Sequence, residues 1–280
     1  NPQDLQNHTP SAAAKGITLP SLAAITMRAA SISHLAKDSF NKAAAVKTFV
    51  MKSAPLFRYL KDMNNFSNNY IADQMARIAG GIPAMLQWYN EKLGFTSAQL
   101  KMVTGSGLDK DNDVDLAHRE DNFATCEAVI KTMKALGTDL NAIVLTEAQK
   151  TYLGKANLGM MDVMPIAGVN QATYTGSGDQ DSAVVFKTGT LGPGAVDNRL
   201  NIAGYARGQT DTRFFAMFFK YDNASQKVDI RSIRERIISK LLAEMGGPKP
   251  LQGYRATDKN DFMSVDKESK FELILAQPQG

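Results

Sequence analysis

Ala183-Val184-Val185-Phe186-Lys187-Thr188-Gly189-Thr190 is the stretch on which the fold turns. Its four apolar residues read as a buried strand, and Lys187-Thr188-Gly189 follows at once, at the strand's end, with a glycine that lets a ligand approach the backbone. Leu200 to Ala206 and Phe214 to Phe219 are two further β-like runs, separated by Gly, Asn and Asp turns as in an antiparallel meander. Asp229 to Met245 then reads as an amphipathic helix, with Ile233, Ile237, Leu241 and Met245 at four-residue steps and Ile238 and Leu242 beside them. A sheet followed by a helix on its face, with further helices upstream as a second subdomain, predicts an α/β chain of the α+β type.

Working towards the N-terminus, Pro83 to Leu93 reads as a helix, as does Asp115 to Leu136 closed by Gly137, with Cys126 as a small core residue of the latter. Gln99 to Val103 is a short strand running into Thr104-Gly105-Ser106-Gly107-Leu108. Pro55 opens a helix through Met63, in a position where its missing N–H costs nothing. The run Asn64 to Asn69 interrupts that helix with side chains that compete for backbone hydrogen bonds, and a second helix carrying Tyr70, Ile71, Met75 and Ile78 ends at Gly80-Gly81. Ser67 therefore sits at a break between two helices. Val46 to Met51 is β-like, and Leu22 to Leu35 has helical spacing. Residues 1–20, with Pro2, Pro10 and Pro20, read as a lead-in or linker, residues 21–250 as the main domain (helical part about 53–170, sheet part about 180–246), and residues 251–280 as a C-terminal extension.

The composition narrows the function classes. Of 280 residues, 44% are hydrophobic and 21% charged, which excludes global disorder and supplies material for a substantial core. Thirty-two basic against 28 acidic residues leave a net charge of +4, too small an excess to argue for nucleic acid. The bases of Arg231 to Lys240 read as a solvated helix face. One cysteine excludes an intrachain disulfide or a multi-cysteine metal site, and no apolar run reaches the roughly 18 residues of a membrane span. The chain begins at Asn1 without Met, which reads as a processed or trimmed product.

Lys187-Thr188-Gly189 is preceded, 120 residues upstream, by Ser67-Asn68-Asn69. Ser-x-Asn followed by Lys-Thr-Gly makes two of the three signatures of the penicillin-recognising acyl-serine enzymes. The surrounding residues sharpen this. Ser53-Ala54-Pro55-Leu56 through Ser67-Asn68-Asn69-Tyr70-Ile71-Ala72-Asp73 resembles the "SPPL…MLKYSDNLYAE" region of the class C penicillin-binding proteins, the D-alanyl-D-alanine carboxypeptidases and endopeptidases. Gly105-Ser106-Gly107-Leu108 resembles their "DGSGLS" element, with Thr104 where an acid is usual and Asp109 in place of Ser. Met164 to Val169 resembles "LPVAGVDGTL", and Lys187 to Leu191 with Ala203-Gly204-Tyr205 resembles "KTGTL…LAGY".

The resemblance implies a serine β-lactamase or penicillin-binding transpeptidase-like fold, an antiparallel sheet flanked by helices plus a helical subdomain. It implies that Ser67 relays protons, that Asn69 holds the acyl amide, that Lys187 supplies positive potential, and that Thr188 and Thr190 beside Gly189 bind the terminal carboxylate. The Thr190 N–H becomes half of an oxyanion hole, where one donor is worth roughly 3 kcal/mol. The implied substrates are D-alanyl ends or cross-links of peptidoglycan stems, with β-lactams as covalent inhibitors, no cofactor or metal, and a bacterial periplasmic or secreted location.

The third signature, a nucleophilic Ser-x-x-Lys upstream of Ser-x-Asn, departs from the pattern. Ser39-Phe40-Asn41-Lys42 lies in the right order without the usual lead-in, and also reads as a helix cap; Ser264 to Lys267 lies in the wrong order. The family's enzymes are longer, so the length reads as a missing nucleophile segment, carried by a separate N-terminal chain, removed, or lost. Two functions follow: a serine-type D-alanyl-D-alanine carboxypeptidase/endopeptidase working through an acyl-enzyme, or a non-catalytic peptidoglycan-binding or regulatory domain that retains the two motifs.

Other signals read as ordinary structure. Asp109 to Glu120 approaches calcium-loop spacing but has Val114 where the turn needs Gly, so it reads as a solvated loop. His34 and His118 lack a G-x-S-x-G partner, and the three methionines Met160, Met161 and Met164 read as packing residues.

Overall fold

The computed structural model describes residues 48–52, 56–109, 120–169, 178–191, 198–251 and 270–274. The chain divides into two units, residues 1–50 with 272–280, and residues 51–271. Strands β1 (Thr48–Lys52) and β7 (Lys270–Ile274) pair with each other, β1 overlapping the run read as β-like. The expectations for residues 1–35, for Ser39 and Lys42, for His118 and for Ser264 to Lys267 lie outside the described residues.

The second unit begins with α1 (Leu56–Phe66) and α2 (Asn69–Ile78); α1 runs through Asn64 and Asn65, past the expected end at Met63, and the break falls at Ser67 and Asn68 within the asparagine-rich run. Ser67 turns the chain in the left-handed region at φ 51°, Asn68 donates its N–H back to Met63 O at 2.9 Å, and the Asn68 side chain accepts from Ile71 N at 3.0 Å as the N-cap of α2. One asparagine thus closes one helix and opens the next. Helix α3 (Gly81–Leu93) follows and ends on Gly94 in the left-handed conformation.

Strands β2 (Leu100–Lys101) and β3 (Phe123–Ala124) form a short antiparallel pair. The helix expected over Asp115 to Leu136 is corrected: residues 123 and 124 are extended, Thr125 caps α4 (Cys126–Ala142), and Gly137 lies inside that helix. A Cβ at Gly137 would stand 3.5 Å from the Met160 sulfur, so tertiary packing carries the helix through a residue that propensity alone would make a terminator. Cys126 is exposed on the first turn of α4 and not in the core. Helix α5 (Glu147–Leu153) starts in a capping box of Thr146 and Gln149.

Strands β4 (Val184–Leu191), β5 (Arg199–Arg207) and β6 (Thr212–Lys220) form the expected antiparallel meander, with Lys187 opposite Ala203 and Ala203 opposite Ala216. Strand β4 does not stop before Lys-Thr-Gly; the motif is its second half, held by pairing to β5. On the other edge of β4, Phe186 N donates to Pro165 O at 3.0 Å and Ala167 N to Val184 O at 2.9 Å, so the Met164 to Val169 stretch lines only the first half of the strand.

The two sheet faces build two cores. Val185 and Tyr205 pack with Leu140, Val163, Met164 and Ile166, while Val184, Phe186, Ile202 and Phe215 pack under α6 (Ala224–Glu244) through Ile238, Leu242 and Met245. Met160 and Met164 are buried, as their reading as packing residues requires. The expected apolar face of α6 is buried at Ile238, Leu242 and Met245 and is corrected at Ile233 and Ile237, which are 37% and 45% exposed, while Arg234 turns inward. Arg234 is therefore not part of a solvated basic face. The fold is of the α+β class, an antiparallel sheet flanked by helices, and among the described residues no helix is long and apolar enough to cross a membrane.

Candidate active site

Backbone groups of successive residues on a strand point to opposite edges, and those of every second residue to the same edge. Because Val184 O and Phe186 N face Pro165 to Ala167, the backbone groups of Thr188 and Thr190 face the same edge, beyond the residues paired to that segment. Helix α1 delivers Ser67 there. Lys187 Nζ lies 3.0 Å from Ser67 Oγ and donates to Thr188 O at 2.5 Å. Burial lowers the Lys187 pKa to about 8, so at neutral pH Lys187 is still mainly a cation, closer to losing its proton than an ordinary lysine.

Thr188 is buried and Thr190 exposed on the same strand. A Cβ at Gly189 would make only ordinary van der Waals contact with Asn201, 3.7 Å away across the ladder, so sterics within the sheet do not demand glycine there. What the bare residue provides is an open face beside Lys187. Asn69 begins α2 two positions from Ser67 and is exposed. The structure thus brings together Ser67 and Lys187, sets Thr188, Gly189 and Thr190 along the same strand, and leaves Ser39 and Lys42 outside the described residues.

The loop from Thr104 to Leu108 is fastened to α2. Ser106 N donates to Asp73 Oδ1 at 2.7 Å, and a Cβ at Gly105 would fall 2.5 Å from Ala72 O. Thr104, in the place of the usual acid, ties the loop to itself by donating to Leu108 O at 2.8 Å and accepting from Gly107 N at 3.0 Å. At the described ends of the Asp109 to Glu120 stretch, Asp109 Oδ2 accepts from Glu120 N and Asp121 Oδ1 from Asp109 N, each at 3.0 Å. Among the described residues no group of three potential metal-ligating side chains occurs.

Two residues of α1 escaped the sequence reading. Lys61 is buried, with Nζ donating to Met161 O at 2.8 Å and to Met164 O at 2.5 Å, and Asn64 Nδ2 donates to Val163 O at 2.7 Å. Burial pushes the Lys61 pKa down to about 7; Asp162 and Asp62 oppose that shift, and Arg58 and Lys155 add to it. Their spacing was the available signal: Lys61 and Asn64 lie one turn after Phe57 and Leu60, which pack on the core.

A family model for the D-Ala-D-Ala carboxypeptidase 3 (S13) family matches residues 27–118, which include Ser67 and Asn69. Comparison with curated proteins finds no match. Among solved structures, the chain is similar to the Bd0816 predatory endopeptidase from Bdellovibrio bacteriovorus in complex with immunity protein Bd3460, at 27% identity and a TM-score of 0.64 over 79% of this chain and 51% of that one. The predatory peptidoglycan endopeptidase Bd3459 of the same organism matches with the same figures. Its penicillin G-acylated form, also bound to Bd3460, matches at 27% identity and a TM-score of 0.63, over 79% and 54% of the two chains. The chain thus spans about half the length of the structures it matches. The family model supports the resemblance over residues 27–118, which hold the Ser-x-Asn but not the Lys-Thr-Gly, and the solved folds support it over 79% of the chain.

Proposed function

We propose that this chain carries the relay and carboxylate-binding side of a serine-type D-alanyl-D-alanine peptidase that acts on peptidoglycan outside the cytoplasm, through an acyl-enzyme. The observation that carries the reading is the 3.0 Å contact between Lys187 Nζ and Ser67 Oγ, made across 120 residues of sequence beside β4. The penicillin G-acylated relative supports it, since a β-lactam is a covalent probe of such sites. Ser67 passes a proton towards the leaving amine, and Lys187 holds the Ser67 oxygen in a positive potential. Asn69 holds the acyl amide. Lys187, Thr188 and Thr190 receive the terminal carboxylate, and the Thr190 N–H, on the same edge as the backbone groups of Thr188, meets the developing oxyanion. This role set needs no cofactor. Within this chain the candidate nucleophile pair is Ser39 with Lys42; both carboxypeptidase and endopeptidase cleavage are compatible with a site of this kind.

The test is binding of a diacetyl-lysyl-D-alanyl-D-alanine peptide by calorimetry, together with intact mass after exposure to penicillin. Lys187→Ala removes a charge-assisted contact and should weaken peptide binding roughly 10- to 100-fold. A penicilloyl adduct mapped to Ser39 assigns the nucleophile. Peptide binding without any adduct supports the non-catalytic peptidoglycan-binding reading, and peptide affinity unchanged in Lys187→Ala sinks the proposed site.

A further inference from the structure

We infer that Lys61 and Asn64 are positioning residues that set the distance between Ser67 and Lys187, by tying the end of α1 to the segment that lines β4. The inference rests on the reading of Ser67 and Lys187 as the working pair. Ser67 and Lys187 come from elements far apart in sequence, and a relay between them requires their relative placement to be held within a fraction of an ångström. The connection between them is continuous. From α1, Lys61 Nζ reaches Met161 O and Met164 O, and Asn64 Nδ2 reaches Val163 O. Directly after those carbonyls, Pro165 O accepts from Phe186 N and Ala167 N donates to Val184 O, which leads into β4 immediately before Lys187. In the other direction, Ser67 follows Asn64 by less than one helical turn.

The carbonyls need these partners. They close the short 3₁₀ turn Met160–Asp162, where Val163 N and Met164 N both use Met160 O and the later carbonyls lack a donor within the turn. Val163 and Met164 are buried, so water does not replace the side chains. A lysine held almost wholly out of water opposes its own charge, and Asp162, itself ion-paired to Lys155, offsets that only in part. A neutral apolar residue would pack at that position with no such cost. What lysine adds is a pair of donors that a shorter or apolar side chain lacks, directed at two carbonyls of one turn.

The experiment follows the Lys187 side chain by NMR in the full chain with ¹³C- and ¹⁵N-labelled lysine, without substrate. In the wild type Lys187 should titrate near 8. In Lys61→Met and in Asn64→Ala, α1 is released from the 161–164 turn and water reaches Lys187, so its midpoint should move up by about one unit or more towards the ordinary lysine value. Lys61→Arg, which keeps donors in place, should restore the wild-type midpoint. A general loss of stability would leave the midpoint of the folded molecules unchanged. Asn64→Ala removes a single hydrogen bond at a half-buried position and keeps the test available should Lys61→Met not fold. A folded variant of either kind whose Lys187 titrates as in the wild type overturns the inference. The readout needs neither binding nor turnover: a wild type that ignores the D-alanyl peptide defeats the proposed function and leaves the positioning result standing.

Discussion

Lys61 makes the stability of this protein depend on pH in a calculable way. In the unfolded chain its ammonium has the ordinary pKa of 10.5, and in the folded state burial lowers that to about 7. Between those values the unfolded chain binds a proton that the folded one has released, so folding stability rises with pH across this window, at up to about 1.4 kcal/mol per pH unit. Below about pH 7 both states are protonated and the Lys61 contribution stays at its least favourable; above 10.5 both are neutral and it stays at its most favourable. From about pH 6 to about pH 9 the gain is about 2.5 kcal/mol. Lys187 acts in the same direction above about 8, so the wild type must be compared with Lys61→Met, which retains Lys187. Urea unfolding of both proteins at about pH 6, 7.5 and 9 gives the difference directly. The variant loses the bonds to Met161 O and Met164 O at every pH, which offsets the two curves; the Lys61 titration changes their separation. We expect the wild type to gain about 2.5 kcal/mol on the variant across that range. A separation that stays constant within about 0.5 kcal/mol would refute the reasoning, because it would mean that Lys61 keeps its ordinary pKa and is not buried against those carbonyls.

Two other outcomes are expected. Gly204→Ala places a Cβ 2.0 Å from Val185 O and 2.7 Å from Phe186 Cα, backbone atoms that can yield only by separating β4 from β5. The loss should be about 3 kcal/mol or more and should lower Tm by roughly 6–12 °C in thermal melting, whereas a wild-type Tm would show the strands to be farther apart. Because Lys187 is cationic only below about 8, affinity for a D-alanyl-D-alanine peptide should hold at lower pH and fall above it by up to about tenfold per unit. Calorimetry showing constant affinity to about pH 10 would remove Lys187 from the carboxylate site.

The elements nearest the candidate site were the most legible. Asn68 announces the break at Ser67 because its side chain competes locally for backbone donors, and it caps α2 in just that way. The three strands are legible because each is a short apolar run between turn residues. Legibility fails where a distant partner decides the outcome. Gly137 reads as a terminator, yet α4 continues past it against Met160. Arg234 reads as one base among several on a wet face, yet α6 docks with Arg234, Ile238 and Leu242 inward, leaving Ile233 and Ile237 at the surface. Local periodicity ranks the possible faces of a helix; the sheet beneath chooses among them.

By itself the sequence determined which side chains the candidate site can draw on: a serine at a helix break, a lysine-threonine-glycine at the end of an apolar strand, and the order of the two, since these depend on residue type and short-range backbone preference. Only the tertiary structure decided that Lys187 reaches Ser67 at 3.0 Å, that pairing to β5 carries β4 through the motif, and that Lys61 is a buried clamp rather than a solvated charge. The physical reason is that burial and hydrogen-bond partnership belong to pairs of groups. Lys61 and the carbonyls of Met161 and Met164 are about a hundred positions apart, and no local pattern announces that they share the same dry space.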